Sequence, residues 1–213
     1  VRSRSKESVL EEANQLVENG YKEIVLTGIH TGGYGQDLDN YSFYDLLFDL
    51  KEVKGLKRLR ISSIEINELI PPIIELIRDN DVFAKHLHIP LQSGSDAVLK
   101  VMRRKYNKEE YYNKIQSIRE TIPGIAITTD IIVGFPEETD EMFEEMFEFA
   151  RKCSFSEMHV FPYSRRSGTK AALIKGQING IIKSLRVNRL IQLNEELASN
   201  YINSNKDKVI SVL

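Results

Sequence analysis

Five short runs rich in β-branched residues alternate along this chain with longer segments whose apolar residues repeat at helical spacing. They begin about 30 to 40 residues apart, which is the length that a strand and a returning helix require. This alternation is typical of parallel strands joined by helical crossovers, and it predicts an α/β fold. The predicted strands are EIVLTG from Glu23, RLRISS from Arg58, HLHIPLQS from His86, AITTDIIVGF from Ala126 and EMHVFPYS from Glu157.

Capping residues predict where the intervening helices begin and end. Ser5 precedes an apolar stripe, and Gly20 follows it where a left-handed residue is needed, so a first helix lies ahead of the first predicted strand. A helix in that position indicates that another strand lies upstream of Val1. The other predicted helix starts are Ser42 with Asp45, Pro71 with Pro72, Asn107 with Glu110, Thr139 and, for a long last helix, about residue 178.

The composition excludes several classes of protein. The 213 residues are 41% hydrophobic and include one cysteine, which permits a packed core and rules out a disulfide scaffold. No apolar run reaches the roughly 18 residues of a membrane helix, and the start lacks a secretory signal. We therefore expect a cytoplasmic protein that associates neither with a membrane nor with a stable protein partner. At a formal charge of -2, nucleic acid would have to be held by local basic clusters. These are Arg2 with Arg4, Arg103 to Lys105, and Arg165 with Arg166.

Polar residues and glycines follow the apolar part of every predicted strand. Ligands of parallel α/β folds, whether barrels or open sheets, bind beyond the carboxyl ends of the strands. We therefore expect one composite pocket there. Its candidate members are Thr27 with Gly28, Ser62 with Ser63, Gln92 to Gly94, Asp130 to Gly134, and Tyr163 with Ser164.

Two of these strand ends carry longer motifs. TGIHTGGYG, from Thr27 to Gly35, matches neither a P-loop nor a Rossmann fingerprint, so its glycines indicate either a ligand close to the backbone or a loop that needs positive φ. In DIIVGFPEET, Gly134 marks the close approach of a ligand or of another backbone segment. Glu137 and Glu138 precede a helix start, where capping is favoured over a ligand role.

The histidines and the cysteine give no clear metal or nucleophile site. His86 and His88 share one face of a predicted strand, but a pair supplies half of a metal site, so packed or hydrogen-bonded histidines are favoured. His30 and His159 stand alone and are interpreted in the same way. Cys153 comes late in an amphipathic helix and is expected to be a buried small side chain. No metal ligand or catalytic residue is assigned within the chain.

Five segments, taken in order, resemble those of the radical S-adenosylmethionine methylthiotransferases that modify tRNA. They are LTGIHTGGYG, RLRISSIEIN, LHIPLQSGSDAVLKVMRRKY, TTDIIVGFPEET and FPYSRRSGT. The form of the first segment, with RSRS at the front of the chain, is most similar to the branch that acts on N6-threonylcarbamoyladenosine beside the anticodon. The resemblance implies a partial (βα)6 TIM-like barrel of the radical S-adenosylmethionine type, here lacking its first strand and cluster loop. It implies a core over residues 1–177, a helix and linker over 178–206, and the first strand of an RNA-binding β domain over 207–213.

The resemblance also implies S-adenosylmethionine and a [4Fe-4S] cluster as cofactors, and tRNA as the partner. In that family three cysteines of a CxxxCxxC loop hold the cluster; this chain lacks them, so the fragment alone is expected to be inactive. In the intact enzyme a 5'-deoxyadenosyl radical would remove the hydrogen from C2 of the adenine ring. Sulfur carried on a second cluster, methylated by another S-adenosylmethionine, would then be joined to C2 as the methylthio group. The implied cofactor-binding residues are Gly28, Ser63, Gln92, Ser93, Arg104, Asp130, Gly134, Glu137, Phe161 and Tyr163, and the implied RNA-binding residues are Arg2, Arg4, Arg165 and Arg166.

Some of these residues have implied partners on the cofactor. Gly28 would meet the methionyl amino group, and Arg104 would balance the methionyl carboxylate. Backbone around Gly134 and the main chain of Phe161 and Tyr163 would approach the adenine. Gln92 and Ser93 would meet the ribose or the methionyl part, and Asp130 stands where the family pattern has a glycine.

Two other functions remain open from the residues alone. The first is a cluster-free barrel lyase or isomerase that uses Glu137 as a base and the glycine loop for phosphate; no strand lysine or paired carboxylates at one strand end support it. The second is a non-catalytic tRNA-binding scaffold. Tight binding of unmodified tRNA by the chain alone would favour the scaffold.

Overall fold

The structure is a computed structural model that describes residues 2–209. All five strands begin at the residues predicted from the sequence, so the predicted order of elements is confirmed. In chain order the elements are α1 (Lys6–Glu18), β1 (Glu23–Leu26), α2 (Phe43–Leu50), β2 (Arg58–Ile61), α3 (Pro71–Asp79), β3 (His86–His88), α4 (Asp96–Val101), α5 (Lys108–Thr121), β4 (Ala126–Val133), α6 (Asp140–Cys153), β5 (Glu157–Pro162) and α7 (Gly180–Ser204).

The predicted capping residues explain several helix starts. The side chain of Ser42 accepts from the backbone of Asp45, whose carboxylate accepts from the Ser42 N–H at 2.8 Å, so a complete capping box opens α2. Asn107 and Glu110 exchange equivalent bonds of 3.0 and 2.9 Å before α5. Single side-chain caps open two more helices, Ser5 at α1 and Thr139 at α6.

The chain divides into two compact units, which are described separately. Among the described residues, the first consists of residues 2–88, Ser117–Ala126 and Val209. In it β1 pairs in parallel with β2, with Glu23 opposite Arg58. Its core is formed by apolar side chains of α2, β2 and α3, among them Leu47, Leu50, Leu59, Ile61 and Ile77.

The second unit consists of Ile89–Gln116 and Ile127–Lys208. In it β4 pairs in parallel with β5, from Thr128 opposite Glu157 to Val133 opposite Pro162. The long last helix that the sequence predicted is present as α7, and it packs against β5 and α6. The apolar stripe of α7 consists of Leu190, Leu193 and Leu197, all of which are buried.

Two further expectations concern the C-terminus and membranes. The segment 207–213, expected to begin a β domain, extends beyond the described residues, which end at 209. Within residues 2–209, no helix combines the length and the apolar character that crossing a bilayer requires.

Candidate functional site

The glycine loop after β1 borders a cavity of about 670 Å³ in the first unit. Thr27 and Gly28 line this cavity together with aliphatic side chains of α1 and α2. Arg2 and Arg4 also line it. A cavity of this size is large enough for a small-molecule ligand.

Packing within the chain accounts for three of the four glycines in TGIHTGGYG. A Cβ at Gly32, Gly33 or Gly35 would fall between 2.1 and 2.5 Å from its nearest neighbour, which belongs to Glu68, His30 or Tyr41 respectively. At Gly28 the nearest atom would be Thr31 Oγ1 at 3.5 Å, which is an ordinary contact. Gly28 is therefore the glycine of this loop that packing does not explain, and it stays a prediction for ligand binding.

Thr31 supplies a buried polar atom beside Gly28. Its hydroxyl oxygen has no hydrogen-bond partner among residues 2–209. Buried hydroxyl groups are normally hydrogen-bonded, so this oxygen fits a ligand group that donates, such as the methionyl amino group that the resemblance assigns to Gly28. A close side-chain contact between His30 and Glu68 anchors the same loop.

Ser63 lies two residues beyond β2 and is exposed. It forms an isolated parallel bridge with His88, whose carbonyl accepts from the Ile64 N–H at 3.1 Å. Burial, together with the charges of Arg60 and His88, lowers the pKa of His86 to about 4. His86 is thus neutral at pH 7, as expected for the packed strand histidine that the sequence favoured.

Gln92 and Ser93 have different surroundings in the second unit. The Gln92 N–H donates to the Asp130 carbonyl at 2.8 Å, and the Gln92 carbonyl accepts from Ile132 at 2.9 Å, which extends the sheet beyond β3. Gln92 has a φ of 66°, in the left-handed region. Ser93 is fully buried, and its hydroxyl accepts from the Ser95 N–H at 3.2 Å. The Ser93 side chain therefore stabilises the turn.

One face of the β4–β5 pair carries two hydrogen-bonded polar side chains and an aromatic ring. Asp130 lies opposite His159 in the register, and Asp130 Oδ1 is 3.2 Å from His159 Nδ1. Two residues further along the same face, Ile132 lies opposite Phe161, whose surface is 50% exposed. This face offers a ligand both hydrogen-bonding groups and an aromatic surface. It also shows that His159, isolated in the sequence, is hydrogen-bonded.

The turn after β4 is built around Gly134. This residue has a φ of 70°, and a Cβ on it would lie 2.2 Å from Cγ of Lys183. Its N–H donates to Oε1 of Glu138 at 2.9 Å. The close approach predicted at Gly134 is therefore made, at least on this side, by a helix side chain of the same chain.

The two adjacent glutamates of this motif differ in burial and in hydrogen-bond partners. Glu137 is exposed, has a φ of 68° and donates its N–H to the Gly176 carbonyl at 2.7 Å. Glu138 is buried, and its Oε1 lies 2.6 Å from Nη1 of Arg186. Burial raises the pKa of Glu138, although Gly134 and Arg186 favour the charged form.

Sequence reasoning assigned no site role to Glu138, Arg186 or Lys183. A signal was available for one of them: Arg186 lies on the apolar stripe of α7, four residues before Leu190. A charged residue on such a stripe indicates a buried partner. Nothing in the sequence identified Glu138 as that partner, because the two lie 48 residues apart.

Tyr163 follows β5 and is held by three of its groups. Its N–H donates to the Val133 carbonyl at 2.8 Å, and its carbonyl accepts from Nζ of Lys183 at 3.0 Å. Its ring meets that of Phe135 edge-on, with 5.2 Å between centroids. Its hydroxyl is buried without a hydrogen-bond partner among residues 2–209. The Tyr163 carbonyl keeps a second lone pair for a ligand donor.

The remaining basic candidates lie in both units. Arg104 follows α4, and its N–H donates to the Leu99 carbonyl at 2.9 Å. Arg4 is paired with Glu12 in α1. Arg165 and Arg166 are exposed after β5. The structure thus brings Gln92, Asp130, Gly134, Phe161 and Tyr163 together along the carboxyl-terminal halves of β4 and β5, whereas Gly28 and Ser63 belong to the first unit.

The cysteine expectation is confirmed. Cys153 is the one cysteine of the chain and is fully buried at the end of α6. Iron–sulfur clusters are held by several cysteine thiolates. The residues of this chain therefore do not fit a [4Fe-4S] cluster, whereas Thr31 and the Tyr163 carbonyl fit polar groups of S-adenosylmethionine.

Parallel strands that carry glycines and polar groups at their carboxyl ends define a ligand-binding α/β protein related to the barrels. A family model described as the radical SAM superfamily matches residues 1–150, and the chain belongs to this superfamily. Its members use S-adenosylmethionine and a [4Fe-4S] cluster.

Curated relatives confirm the resemblance to tRNA methylthiotransferases. The chain is 49% identical over its full length to the threonylcarbamoyladenosine tRNA methylthiotransferase MtaB of Bacillus subtilis, and it covers 48% of that protein. It is 40% identical, again over its full length, to the tRNA-2-methylthio-N(6)-dimethylallyladenosine synthase of Thermoanaerobacter pseudethanolicus, of which it covers 45%. The chain therefore spans about half the length of the curated relatives it matches.

A solved structure confirms the fold type. Coproporphyrinogen III oxidase (HemN) from Escherichia coli, a radical SAM enzyme, matches with a TM-score of 0.66 at 15% identity. The match covers 90% of this chain and 46% of that chain. The expected α/β fold of the radical SAM barrel type is thus borne out.

Proposed function

We propose that this chain is part of an enzyme that adds a methylthio group to C2 of N6-threonylcarbamoyladenosine in tRNA. The observation that carries the proposal is the 49% identity over the whole chain to a threonylcarbamoyladenosine tRNA methylthiotransferase. The lower identity of 40% to a dimethylallyladenosine synthase supports the threonylcarbamoyl branch. A tRNA substrate would place the enzyme in the cytoplasm.

The role proposed for this chain is to bind and orient S-adenosylmethionine. Gly28 and the hydroxyl of Thr31, which has no hydrogen-bond partner in the described part of the chain, support a site for the methionyl amino group. The carbonyl of Tyr163 supports an acceptor for the 6-amino group of the adenine. When bound, the cofactor and the cluster would supply the radical chemistry, and the protein supplies binding, orientation and exclusion of water.

Other cofactor and RNA contacts remain parts of the proposal. Arg104 would balance the methionyl carboxylate, while Ser63 and Glu137, both exposed, would contribute polar contacts. Arg165 and Arg166 are exposed and carry charges suited to phosphate. Arg2 would also contact tRNA. The guanidinium of Arg4 is paired with Glu12, so a contact between Arg4 and tRNA would require this pair to separate.

We further propose that the chain on its own does not methylthiolate tRNA. Its single cysteine is buried in α6, so it offers no set of thiolates for the cluster. Membership of the radical SAM superfamily disfavours the cluster-free lyase or isomerase. The scaffold interpretation remains compatible with the chain alone, and tRNA binding without chemistry would support it.

The test uses the full-length enzyme, with its cluster, and tRNA transcripts that carry either N6-threonylcarbamoyladenosine or N6-dimethylallyladenosine. Nucleoside mass spectrometry after incubation with S-adenosylmethionine, a reductant and inorganic sulfide as the sulfur source should show the methylthio product from the threonylcarbamoyl substrate. The same assay with this chain alone is the control and should give no product. Modification confined to the dimethylallyl substrate would contradict the proposed branch, and modification of neither would contradict the proposed activity.

A further inference from the structure

Helix α7 contacts both of the strand ends that carry the predicted adenine-binding backbone. Lys183, in its first turn, packs against Gly134 after β4 and bonds to Tyr163 after β5. Arg186, one turn further on, reaches the same Gly134 through the carboxylate of Glu138. Two residues of one helix therefore act on the backbone of both strand ends.

Lys183 uses its side chain in two ways. Its aliphatic stem fills the space that a Cβ of residue 134 would take, at 2.2 Å from Cγ. Its ammonium donates to the carbonyl of Tyr163 at 3.0 Å. A carbonyl oxygen has two lone pairs, so this bond orients the carbonyl and leaves one lone pair for another donor.

Arg186 acts through a buried carboxylate. Oε1 of Glu138 accepts from the Gly134 N–H at 2.9 Å and from Nη1 of Arg186 at 2.6 Å. Arg186 also donates to the Glu138 carbonyl at 3.1 Å and to Asp140 at 2.6 Å, which fixes its guanidinium plane. Because the Gly134 N–H is committed to Glu138, the pair sets the orientation of this peptide group.

We propose that Lys183 and Arg186 are positioning residues for the adenine of S-adenosylmethionine. Lys183 holds the Tyr163 carbonyl so that its free lone pair accepts from the 6-amino group. Arg186, through Glu138, fixes the Gly134 peptide beside it. The inference rests on the proposed function, since it requires S-adenosylmethionine at these strand ends.

The test compares two ligands that differ at the 6-position of the purine. S-adenosylhomocysteine carries the amino group, and S-inosylhomocysteine carries an oxygen there. Dissociation constants are measured by calorimetry on the full-length enzyme. The variant Lys183→Met keeps the aliphatic stem beside Gly134 and removes the ammonium. It should reduce the preference for the adenosyl ligand about tenfold, the weight of one charge-assisted hydrogen bond.

Arg186→Lys is the second test variant, and Arg189→Gln on the same helix is its control. Arg186→Lys keeps the buried charge but loses the planar fork, and it should weaken adenosyl binding more than inosyl binding. Arg189 pairs with Glu144 at 2.9 Å on the exposed side of α6, away from Gly134. Arg189→Gln should therefore leave the ratio of the two dissociation constants unchanged. Thermal unfolding of each variant shows whether the fold is retained.

Three outcomes separate the possibilities. A reduced adenosyl preference in Lys183→Met and Arg186→Lys, with the ratio kept in Arg189→Gln, supports the inference. Equal weakening of both ligands, or no change in either, assigns α7 a purely structural role and overturns it. Failure of the parent enzyme to bind either ligand overturns the proposed cofactor site itself, which is a different result from a lost preference.

Discussion

Nη1 of Arg186 lies 2.6 Å from Oε1 of Glu138, and the exposed fractions of the two side chains are 7% and 1%. The pair joins the last helix to the turn between β4 and α6. Burying two charges costs desolvation free energy, and only their mutual attraction offsets that cost. The intact pair therefore adds little net stability, but removing one of its two members is expected to destabilise the fold strongly.

We expect Arg186→Met to destabilise the protein by about 3 to 5 kcal/mol, because it leaves the Glu138 carboxylate buried without its cation. The double variant Arg186→Met with Glu138→Gln should recover most of this loss, since a neutral amide still accepts from the Gly134 N–H. Urea unfolding followed by circular dichroism measures both values. As a control, Arg189→Gln removes an exposed pair and should cost at most about 1 kcal/mol. Equal losses in the single and double variants would contradict the expectation.

Gly134→Ala should destabilise the protein by more than the cost of placing alanine at a left-handed φ. A left-handed φ costs a non-glycine residue about 1 to 3 kcal/mol. Gly124→Ala measures that cost, since Gly124 has a φ of 80° and no atom within 4 Å of an added Cβ. At Gly134 the Cβ would also meet Lys183 at 2.2 Å. The excess should disappear in Gly134→Ala with Lys183→Ala, and equal losses at the two glycines would disprove the steric contribution.

Glu137→Gly is expected to stabilise the protein by about 1 kcal/mol. Glu137 occupies a φ of 68°, which glycine adopts without strain, and its side chain is exposed. Glu137→Ala is the control: it removes the same carboxylate but keeps a Cβ, so it should bring no gain. The free energies of unfolding of the three proteins decide the question, and a gain in the alanine variant would point to charge instead of backbone strain.

His86 should make the protein sensitive to mild acid. Burial lowers its pKa from 6.5 to about 4, so between these pH values the unfolded chain binds more protons at this residue than the folded chain does. The free energy of unfolding should then fall as the pH drops from 6.5 towards 4, by an amount on the order of 2 kcal/mol. His86→Phe should remove this contribution. Identical pH dependence of stability in the two proteins would contradict it.

Gly28→Val should weaken binding of S-adenosylmethionine to the full-length enzyme at least about tenfold. The Cβ of the new residue would meet no protein atom closer than Oγ1 of Thr31 at 3.5 Å, so we expect the fold to tolerate the change while the space for the ligand is lost. Gly32→Ala has the opposite character: its Cβ would lie 2.3 Å from Glu68, and stability should fall. Equilibrium dialysis and thermal unfolding distinguish the two. Unchanged binding in Gly28→Val would remove Gly28 from the site.

The sequence predicted the strands and the helix starts well because their causes are local. The strand that begins at Ala126 is marked by its own β-branched residues, and the start of α2 is marked by Ser42 and Asp45, three positions apart. Such signals depend on a few adjacent residues.

The parts of the candidate site that the sequence missed depend on side-chain and backbone contacts that only the folded chain defines. TGIHTGGYG contains four glycines of similar appearance, and only the positions of Glu68, His30 and Tyr41 separate the packing glycines from Gly28. Glu137 and Glu138 are likewise equivalent in sequence, but a left-handed residue at 137 turns one side chain outwards and the other towards Arg186.

The contact between Gly134 and Lys183 constrains how this chain could have diverged. The stem of Lys183 lies where a side chain at 134 would begin, so a larger residue at 134 requires a smaller one at 183. In an alignment of many homologues the two positions should covary, despite their separation in sequence. Such covariation would show that selection acts jointly on residue 183 and on the glycine in the turn after β4.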